Sequence, residues 1–301
     1  LLGEVSNKMA TQMRVLRAPI GLLAGWGRFP LVFAEKARSL GIPVVCIGIR
    51  GEADSRLKDL TYKFHWTGVA RLGRMIRLFK SAGVREIVMA GKIHKQVMFQ
   101  PWRWLRLLPD FRTVRFWLRR WRDGNNDDSL LLAMIDEFAG EGMMFRSALD
   151  YCPELLVRPG VLTRRQPTPA ERADIAFGWR LAKEIGRLDI GQSVAVKERA
   201  ILAVEAIEGT DRMILRAGEW CRAGNFTVVK VAKPHQDMRF DVPTVGPWTL
   251  ESMHRAGARV LAIEAGKTII IDEPETVAKA DELGLVLAAF TDAVAELTEA
   301  A

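Results

Sequence analysis

Between positions 230 and 246 the chain reads KVAKPHQDMRFDVPTVG, which places Lys230, Lys233, Asp237, Arg239 and Asp241 in one short stretch. Lysine and arginine steady phosphate oxygens, and carboxylates are hard ligands of the kind that hold Mg²⁺ together with a substrate's own phosphates. The composition is hard to explain by packing and suits a functional loop. Further acids sit where strands are expected to end, so that Glu205, Glu208, Asp211, Asp237, Asp241 and Glu264 form the candidate oxygen set. The chemistry this indicates is metal-assisted attack on a phosphate ester or anhydride. His65, His94, His235 and His254 are too scattered in sequence to read as a zinc site.

Four glycine-bearing turns could bring backbone to a phosphate: Gly25-Trp26-Gly27-Arg28, Gly91-Lys92, Gly191-Gln192 and Gly209-Thr210. The first follows an expected strand and opens a helix, the setting in which a helix N-terminus meets an anion. It reads equally as an ordinary strand-to-helix turn. A dinucleotide site would want a small residue where Pro30 stands and an acid after the second strand, which instead ends at Ile49-Arg50. An NADP-dependent oxidoreductase with Arg50 near a 2′-phosphate is the alternative reading of this half.

The elements that must position these groups alternate as in α/β proteins. Strands are expected over 20–24, 43–49 and 86–90, with helices over 30–40 and 70–82, and a further helix is begun by caps at 127–129. Leu131, Met134, Ile135 and Phe138 share one face of that last helix. The first half should therefore be a Rossmann-like parallel sheet. Residues 151–168, rich in Pro and Arg, read as a linker. Thr168-Pro169-Ala170-Glu171 is a capping box, from which a helix should run to about Ile185 and stop at Gly186. Strand-like runs follow at 193–196, 200–206, 226–231, 259–263, 268–271 and 285–290. A tight connection at 197–199 suggests a hairpin and hence a mixed sheet. The expected organisation is a short extension over 1–19, a Rossmann-like unit over 20–158 and a catalytic α/β unit over 159–301.

The chain has 301 residues, enough for two cores, and with 49% hydrophobic and 27% charged residues it is globular. Cys46, Cys152 and Cys221 are too few and too spread for a disulfide framework, which fits a reducing cytoplasm. No apolar run reaches the length of a membrane span. The net charge of +8 is concentrated: residues 101–122 hold seven arginines against Asp110, a local +6, interleaved with Trp102, Trp104, Trp117 and Trp121. This segment reads either as a helix pair facing a membrane interface or as a helix packed on its own unit with a solvated basic face. A non-enzymatic membrane-binding adaptor would account for it but would leave the acidic loops unexplained, and nucleic acid is not the expected partner.

At its candidate site the sequence resembles the UDP-2,3-diacylglucosamine pyrophosphatases of the LpxI type. The motifs that carry the resemblance are LLAGWGRFP, GVREIVMAGKI, GRLDIGQSVAV, ILAVEAIEGTDRM, AKPHQDMRFDVPTVG and GARVLAIEAGKTIIID, in family order across nearly the whole chain. The resemblance implies a two-domain enzyme of lipid A biosynthesis that uses Mg²⁺ and water attack on the α-phosphorus. It would cleave UDP-2,3-diacylglucosamine to UMP and 2,3-diacylglucosamine 1-phosphate (lipid X). It also implies a homodimer at the cytoplasmic side of the inner membrane, and it singles out Asp241 as the catalytic aspartate. Asp211, Glu205 and Glu264 join Asp241 as expected metal ligands. Gly25, Gly27, Arg28, Gly91, Lys92, Gly191, Gln192, Gly209, Thr210, Lys230, Lys233, Gln236 and Arg239 are the expected substrate contacts. The Trp/Arg-rich stretch is more basic and aromatic than the resemblance leads one to expect.

Overall fold

The computed structural model describes residues 18–93, 108–120, 127–234 and 236–293. The chain divides into two compact units, the first ending at Cys152 and the second starting at Pro153. Most of the expected N-terminal extension, His94, His235, and Trp102, Trp104 and Trp121 of the basic segment lie outside the described residues.

In the first unit β1 (Ile20–Ala24), β2 (Val44–Ile49), β3 (Lys63–Thr67), β4 (Glu86–Ala90) and β5 (Met144–Arg146) form a wholly parallel sheet in the order β3-β2-β1-β4-β5. The helices are α1 (Phe29–Ser39), the single turn α2 (Leu57–Leu60), α3 (Leu72–Ser81), α4 (Phe111–Arg120) and α5 (Asp127–Ala139). Every residue of β1 and β2 is buried, as strands covered on both faces must be, and that is why they read as continuous apolar runs. This is the expected Rossmann-like arrangement. Two strands escape the sequence reading because they lie at the sheet edges. KFHWT of β3 mixes charged and aromatic residues and is mostly part-exposed, and β5 is three residues long with only Phe145 buried.

The second unit opens with α6 (Pro169–Arg187), which starts at the expected capping box: the Thr168 hydroxyl accepts from the Glu171 N–H at 3.2 Å while Glu171 Oε2 accepts from the Thr168 N–H at 2.8 Å. Its six-stranded sheet has the order β6-β13-β11-β9-β7-β8, built from β6 (Gly160–Val161), β7 (Ser193–Lys197), β8 (Ala200–Val204), β9 (Phe226–Lys230), β11 (Ala258–Glu264) and β13 (Val286–Phe290). β9, β11 and β13 run parallel, and β7 lies antiparallel to both β9 and β8. The sheet is mixed, as expected. Helix α6 covers one face through Ile175, Trp179 and Ala182. The other is covered by α7 (Thr210–Trp220), α8 (Pro247–Ala256) and α9 (Glu273–Glu282).

The β7–β8 hairpin turns on Glu198 and Arg199, both with positive φ (51° and 59°). Two such residues in a two-residue loop match the twist of the strands but cost side-chain strain outside glycine. The buried Asp174 carboxylate of α6 offsets that cost by accepting both turn N–H groups, at 3.0 and 2.7 Å.

Three expectations need correction. Gly186 does not stop α6, which continues to Arg187 and ends at Leu188. Gly186 instead sits where residues 233–234 pass closely, since an added Cβ would lie 3.4 Å from Lys233 Cα. The run 268–271 does not join the main sheet; β12 (Ile269–Ile270) pairs with β10 (Thr244–Val245) in a separate two-stranded piece. The stretch 151–168 is not a free linker, because β6 within it pairs with β13, Val157 N–H bonds to the Thr268 carbonyl at 3.0 Å, and Thr163 Oγ1 accepts from Leu287 N–H at 3.1 Å. Pro and Gly here shape a sheet edge, where a missing ladder donor does no harm.

The two glycines of α6 should respond oppositely to a methyl group. At Gly178 an added Cβ would meet Val229 Cγ2 at 2.8 Å and Val196 Cγ2 at 3.0 Å, so Gly178→Ala is expected to lower stability by about 1–3 kcal/mol through overpacking. Gly186→Ala meets only ordinary contacts and should raise it by up to about 1 kcal/mol through helix propensity. Urea unfolding of the two variants checks both signs.

Candidate active site

Strand register in the second unit brings separate stretches of sequence to one edge of the sheet. β9 ends at Lys230, which lies opposite Ser193 at the start of β7 and beside Ile263 of β11. β8 ends at Val204, opposite Val194, so Glu205 leaves the sheet at the same edge. This is the carboxyl edge of the parallel strands, where open α/β sheets bind ligands. Strand alternation then sorts the side chains. Val228 faces the α7 core while Val229 and Val231 face α6, so Lys230 is directed toward α7, where its ammonium meets Thr210.

Lys230 is 2% exposed. Its Nζ donates to Thr210 Oγ1 at 3.0 Å and to the Thr244 carbonyl at 3.1 Å. The Thr210 hydroxyl, at the first residue of α7, donates in turn to Glu205 Oε1 at 3.0 Å and lies 3.4 Å from Ser193 Oγ. A buried ammonium is tolerated only when oxygen atoms replace its water. Here they include the Thr210 hydroxyl at a helix start and the Thr244 carbonyl where the loop returns at β10. Gly191 permits this convergence, because an added Cβ would fall 2.1 Å from the Glu205 carbonyl oxygen. Gly209 precedes α7 with φ of 83°, a conformation suited to glycine.

Among the described residues, four buried polar atoms at this edge have no hydrogen-bond partner: Gln192 Oε1, Glu205 Oε2, Asp211 Oδ1 and Gln236 Nε2. Buried polar atoms are normally satisfied, so orphans on four of the expected site residues point to a group supplied from outside the chain. Three of them are oxygens, two from carboxylates, which is the donor chemistry magnesium takes when phosphates complete its shell. Among the described residues no three His, Cys, Asp or Glu side chains gather into a ready-made metal cluster.

Glu264, one of the expected metal ligands, is engaged by groups of the chain itself. It is 2% exposed, and its Oε1 is paired with Lys183 Nζ at 2.7 Å and Lys267 Nζ at 2.8 Å, while Oε2 accepts the Ala232 N–H at 2.7 Å. The carboxylate is spent on holding the first residues of the 231–246 loop. Lys183 also reaches Asp292 at 3.2 Å, and that carboxylate accepts the Trp179 indole N–H at 3.1 Å. Its bond to Glu264 holds the Lys267 ammonium above its ordinary range. Burial pushes the Asp292 carboxyl up, but the bonds from Trp179 and Lys183 outweigh it and bring it below the ordinary range. Lys183 and Asp292 were not among the expected site residues. The available signal was a lysine four positions after Trp179, on the stripe of α6 that otherwise packs.

Beyond Ala232 the loop is folded on its own polar groups. Val231 N–H bonds to the Gln192 carbonyl, Gln236 Oε1 accepts the Lys233 N–H at 2.8 Å, and Lys233 Nζ pairs with Asp189. Arg239 binds the Asp237 carboxylate through both Nε and Nη2, and this pairing holds the Asp237 carboxyl below its ordinary range. Asp241 N–H donates to the Asp237 carbonyl at 3.0 Å, which closes a turn and leaves Asp241 half-buried three residues before β10. Lys233 and Arg239 are therefore engaged with carboxylates. Part-exposed pairs of this kind are worth little.

In the first unit, two expected contact turns are stitched together. Trp26 N–H donates to the Lys92 carbonyl at 2.7 Å, Lys92 N–H to the Trp26 carbonyl at 2.9 Å, and Gly25 N–H to the Ala90 carbonyl at 2.9 Å. An added Cβ on Gly25 would lie 2.5 Å from the Lys92 carbonyl oxygen, and one on Gly91 2.7 Å from that of Trp26. These two glycines are thus accounted for by close backbone approach. Gly27 has φ of 109° with open space around it, and Arg28 is paired with Glu35 at 2.8 Å.

A parallel Rossmann-like unit followed by a mixed-sheet unit, with a buried lysine at its carboxyl edge, defines a two-unit α/β protein. The chain belongs to the LpxI family: residues 19–155 match the LpxI N-terminal domain and residues 158–288 the LpxI C-terminal domain. It is 33% identical over 276 residues to the UDP-2,3-diacylglucosamine pyrophosphatase LpxI of Caulobacter vibrioides, covering 88% of this chain and 95% of that protein.

Glu264→Gln keeps the side-chain shape but removes the carboxylate that Lys267 pairs with and leaves Lys183 with Asp292 alone. Both lysines retain some solvent, so the expected cost is about 2 kcal/mol, below the range for a fully buried pair. Urea unfolding in the presence of a chelator measures it. A metal-binding role alone would leave that stability unchanged.

Proposed function

We propose that the chain hydrolyses the pyrophosphate bond of UDP-2,3-diacylglucosamine to UMP and 2,3-diacylglucosamine 1-phosphate, a step in lipid A biosynthesis. Family membership and the near full-length relative support the substrate. The observation that carries the reading from within the chain is the buried Lys230–Thr210–Glu205 network at the sheet edge, with orphaned oxygens beside it. Water forms a bond to the α-phosphorus as the bond to the bridging oxygen breaks. The electron pair leaves with the lipid phosphate, and one proton is released.

Asp241 is the residue assigned to the chemistry, either orienting the attacking water as a base or holding the cation. Glu205 and Asp211 supply further oxygens for Mg²⁺, which when bound neutralises the diphosphate charge. Glu264 is left out of that set because its oxygens are engaged. Lys233 and Arg239 exchange their carboxylate partners for phosphate oxygens, and Gln192 and Gln236 offer unpaired polar atoms to the ligand. The reading extends to a homodimer working at the cytoplasmic face of the inner membrane, where a diacylated substrate resides. Among the described residues no helix is long and apolar enough to cross a membrane.

Purified protein incubated with UDP-2,3-diacylglucosamine and Mg²⁺ should release UMP, detected by mass spectrometry, and a chelator should stop the release. Asp241→Ala should lower turnover by about 10³-fold or more with the fold unchanged by circular dichroism. Near wild-type turnover would remove Asp241 from its role. Mg²⁺ affinity of Asp241→Asn, read by calorimetry, separates the two roles: tenfold weaker binding assigns a ligand, and unchanged binding assigns the base.

A further inference from the structure

Helix α4 is fastened to the first unit by polar groups and turns its apolar side chains outward. Asp110, just before it, accepts the Thr113 N–H at 2.9 Å and the Arg74 N–H at 3.0 Å, while Thr113 Oγ1 accepts the Leu72 N–H at 3.1 Å, so one carboxylate and one hydroxyl cap the starts of both α3 and α4. Gly73 makes room for this, since an added Cβ there would lie 3.0 Å from Asp110 Oδ2. Arg112 then ties the helix to α5 and its C-terminal turn through Glu137 at 2.8 Å and Glu141 at 2.7 Å. Thr113 and Phe116 are buried on the inner face.

On the outer face stand Phe111, Val114 and Leu118 at the i, i+3, i+7 spacing of one helical stripe, with Trp117 beside them. Phe111 is 82% exposed and Leu118 63%, and Leu108 just before the helix is 54% exposed. The charge at this stripe is of one sign. Arg112 is neutralised by its two glutamates, whereas Arg115, between Val114 and Leu118, is exposed and makes no ion pair among the described residues. In sequence the surrounding stretch 101–122 carries a net +6.

An apolar stripe fringed by arginine on a short, rigidly mounted helix is the pattern of an element lying in the headgroup plane of a bilayer. Arginine reaches phosphate there while the apolar side chains enter the acyl boundary. A nucleic acid would satisfy the arginines but leave the apolar stripe in water. We propose that α4 docks this chain on an anionic phospholipid surface through Phe111, Leu118 and Val114, with Arg115 at the headgroups. This deepens the functional reading by naming the surface that meets the membrane holding the substrate, and it is tested without hydrolysis.

The full chain is sedimented with vesicles of phosphatidylglycerol and phosphatidylethanolamine, and separately with phosphatidylcholine alone. The wild type is expected to partition at least tenfold more strongly to the anionic vesicles. The double variant F111S/L118S should lose about tenfold or more of that binding at an unchanged melting temperature. R115Q should lose about fivefold, the worth of one arginine near the surface. Should F111S/L118S fail to fold, R115E at the exposed position decides, with an expected loss of tenfold or more. Wild type that stays in the supernatant with anionic vesicles overturns the proposal, as does a folded F111S/L118S that binds like wild type. Hydrolysis of detergent-dispersed substrate by F111S/L118S should equal that of wild type. Absence of hydrolysis in both proteins would count against the enzymatic reading alone, because vesicle binding is read independently.

Discussion

A lysine ammonium with 2% exposure must find oxygen atoms inside the protein, and the way Lys230 finds them fixes the geometry of the whole edge. One bond goes to Thr210, which holds the start of α7 against the end of β9. The other goes to the Thr244 carbonyl, which brings the far end of the 231–246 loop back to the strand it left. On the opposite face of the sheet Glu264 holds the near end of the same loop through Ala232. The loop is thus pinned at both ends by buried charges facing opposite sides of one sheet. Between those pins, local turns and the pairs Asp237–Arg239 and Lys233–Asp189 help to shape it. A loop held at both ends, with part-exposed ion pairs between, fits the proposed exchange of those pairs for a phosphate-bearing ligand.

Buried continuous strands and capped helices were the parts of this fold most legible in the sequence. β1, β2, β4 and β9 read directly because both of their faces are covered, and the Thr168–Glu171 box marked the start of α6 to the residue. The edge strands β3 and β5 did not, since a part-exposed strand loses the apolar signature that periodicity detects. Gly186 misled for a different reason: glycine marks a helix end when it supplies positive φ, and Gly186 lies inside α6 without one. The hairpin at Glu198–Arg199 was legible as a tight connection, while the Asp174 carboxylate that makes it tolerable lies 24 residues upstream and only the fold brings it there.

For the site, residue chemistry drew attention to this edge but could not rank its carboxylates. Glu205, Asp211 and Glu264 look alike in sequence, and the structure separates them by partners. Glu264 faces α6 and meets two lysines, while Glu205 and Asp211 keep oxygens with no partner. That difference follows from strand parity and helix placement, neither of which is local. The Trp/Arg-rich segment was ambiguous for the same reason. Of its arginines whose side chains are described, Arg112 is neutralised by glutamates in and just after another helix and Arg115 faces outward.

The central claim is that this edge directs water to the nucleotide-side phosphorus of a lipid-linked diphosphate. Hydrolysis of UDP-2,3-diacylglucosamine in water enriched with ¹⁸O, followed by mass spectrometry of both products, tests it most directly. The account expects one heavy oxygen in UMP and none in the lipid phosphate. Label in 2,3-diacylglucosamine 1-phosphate would contradict it.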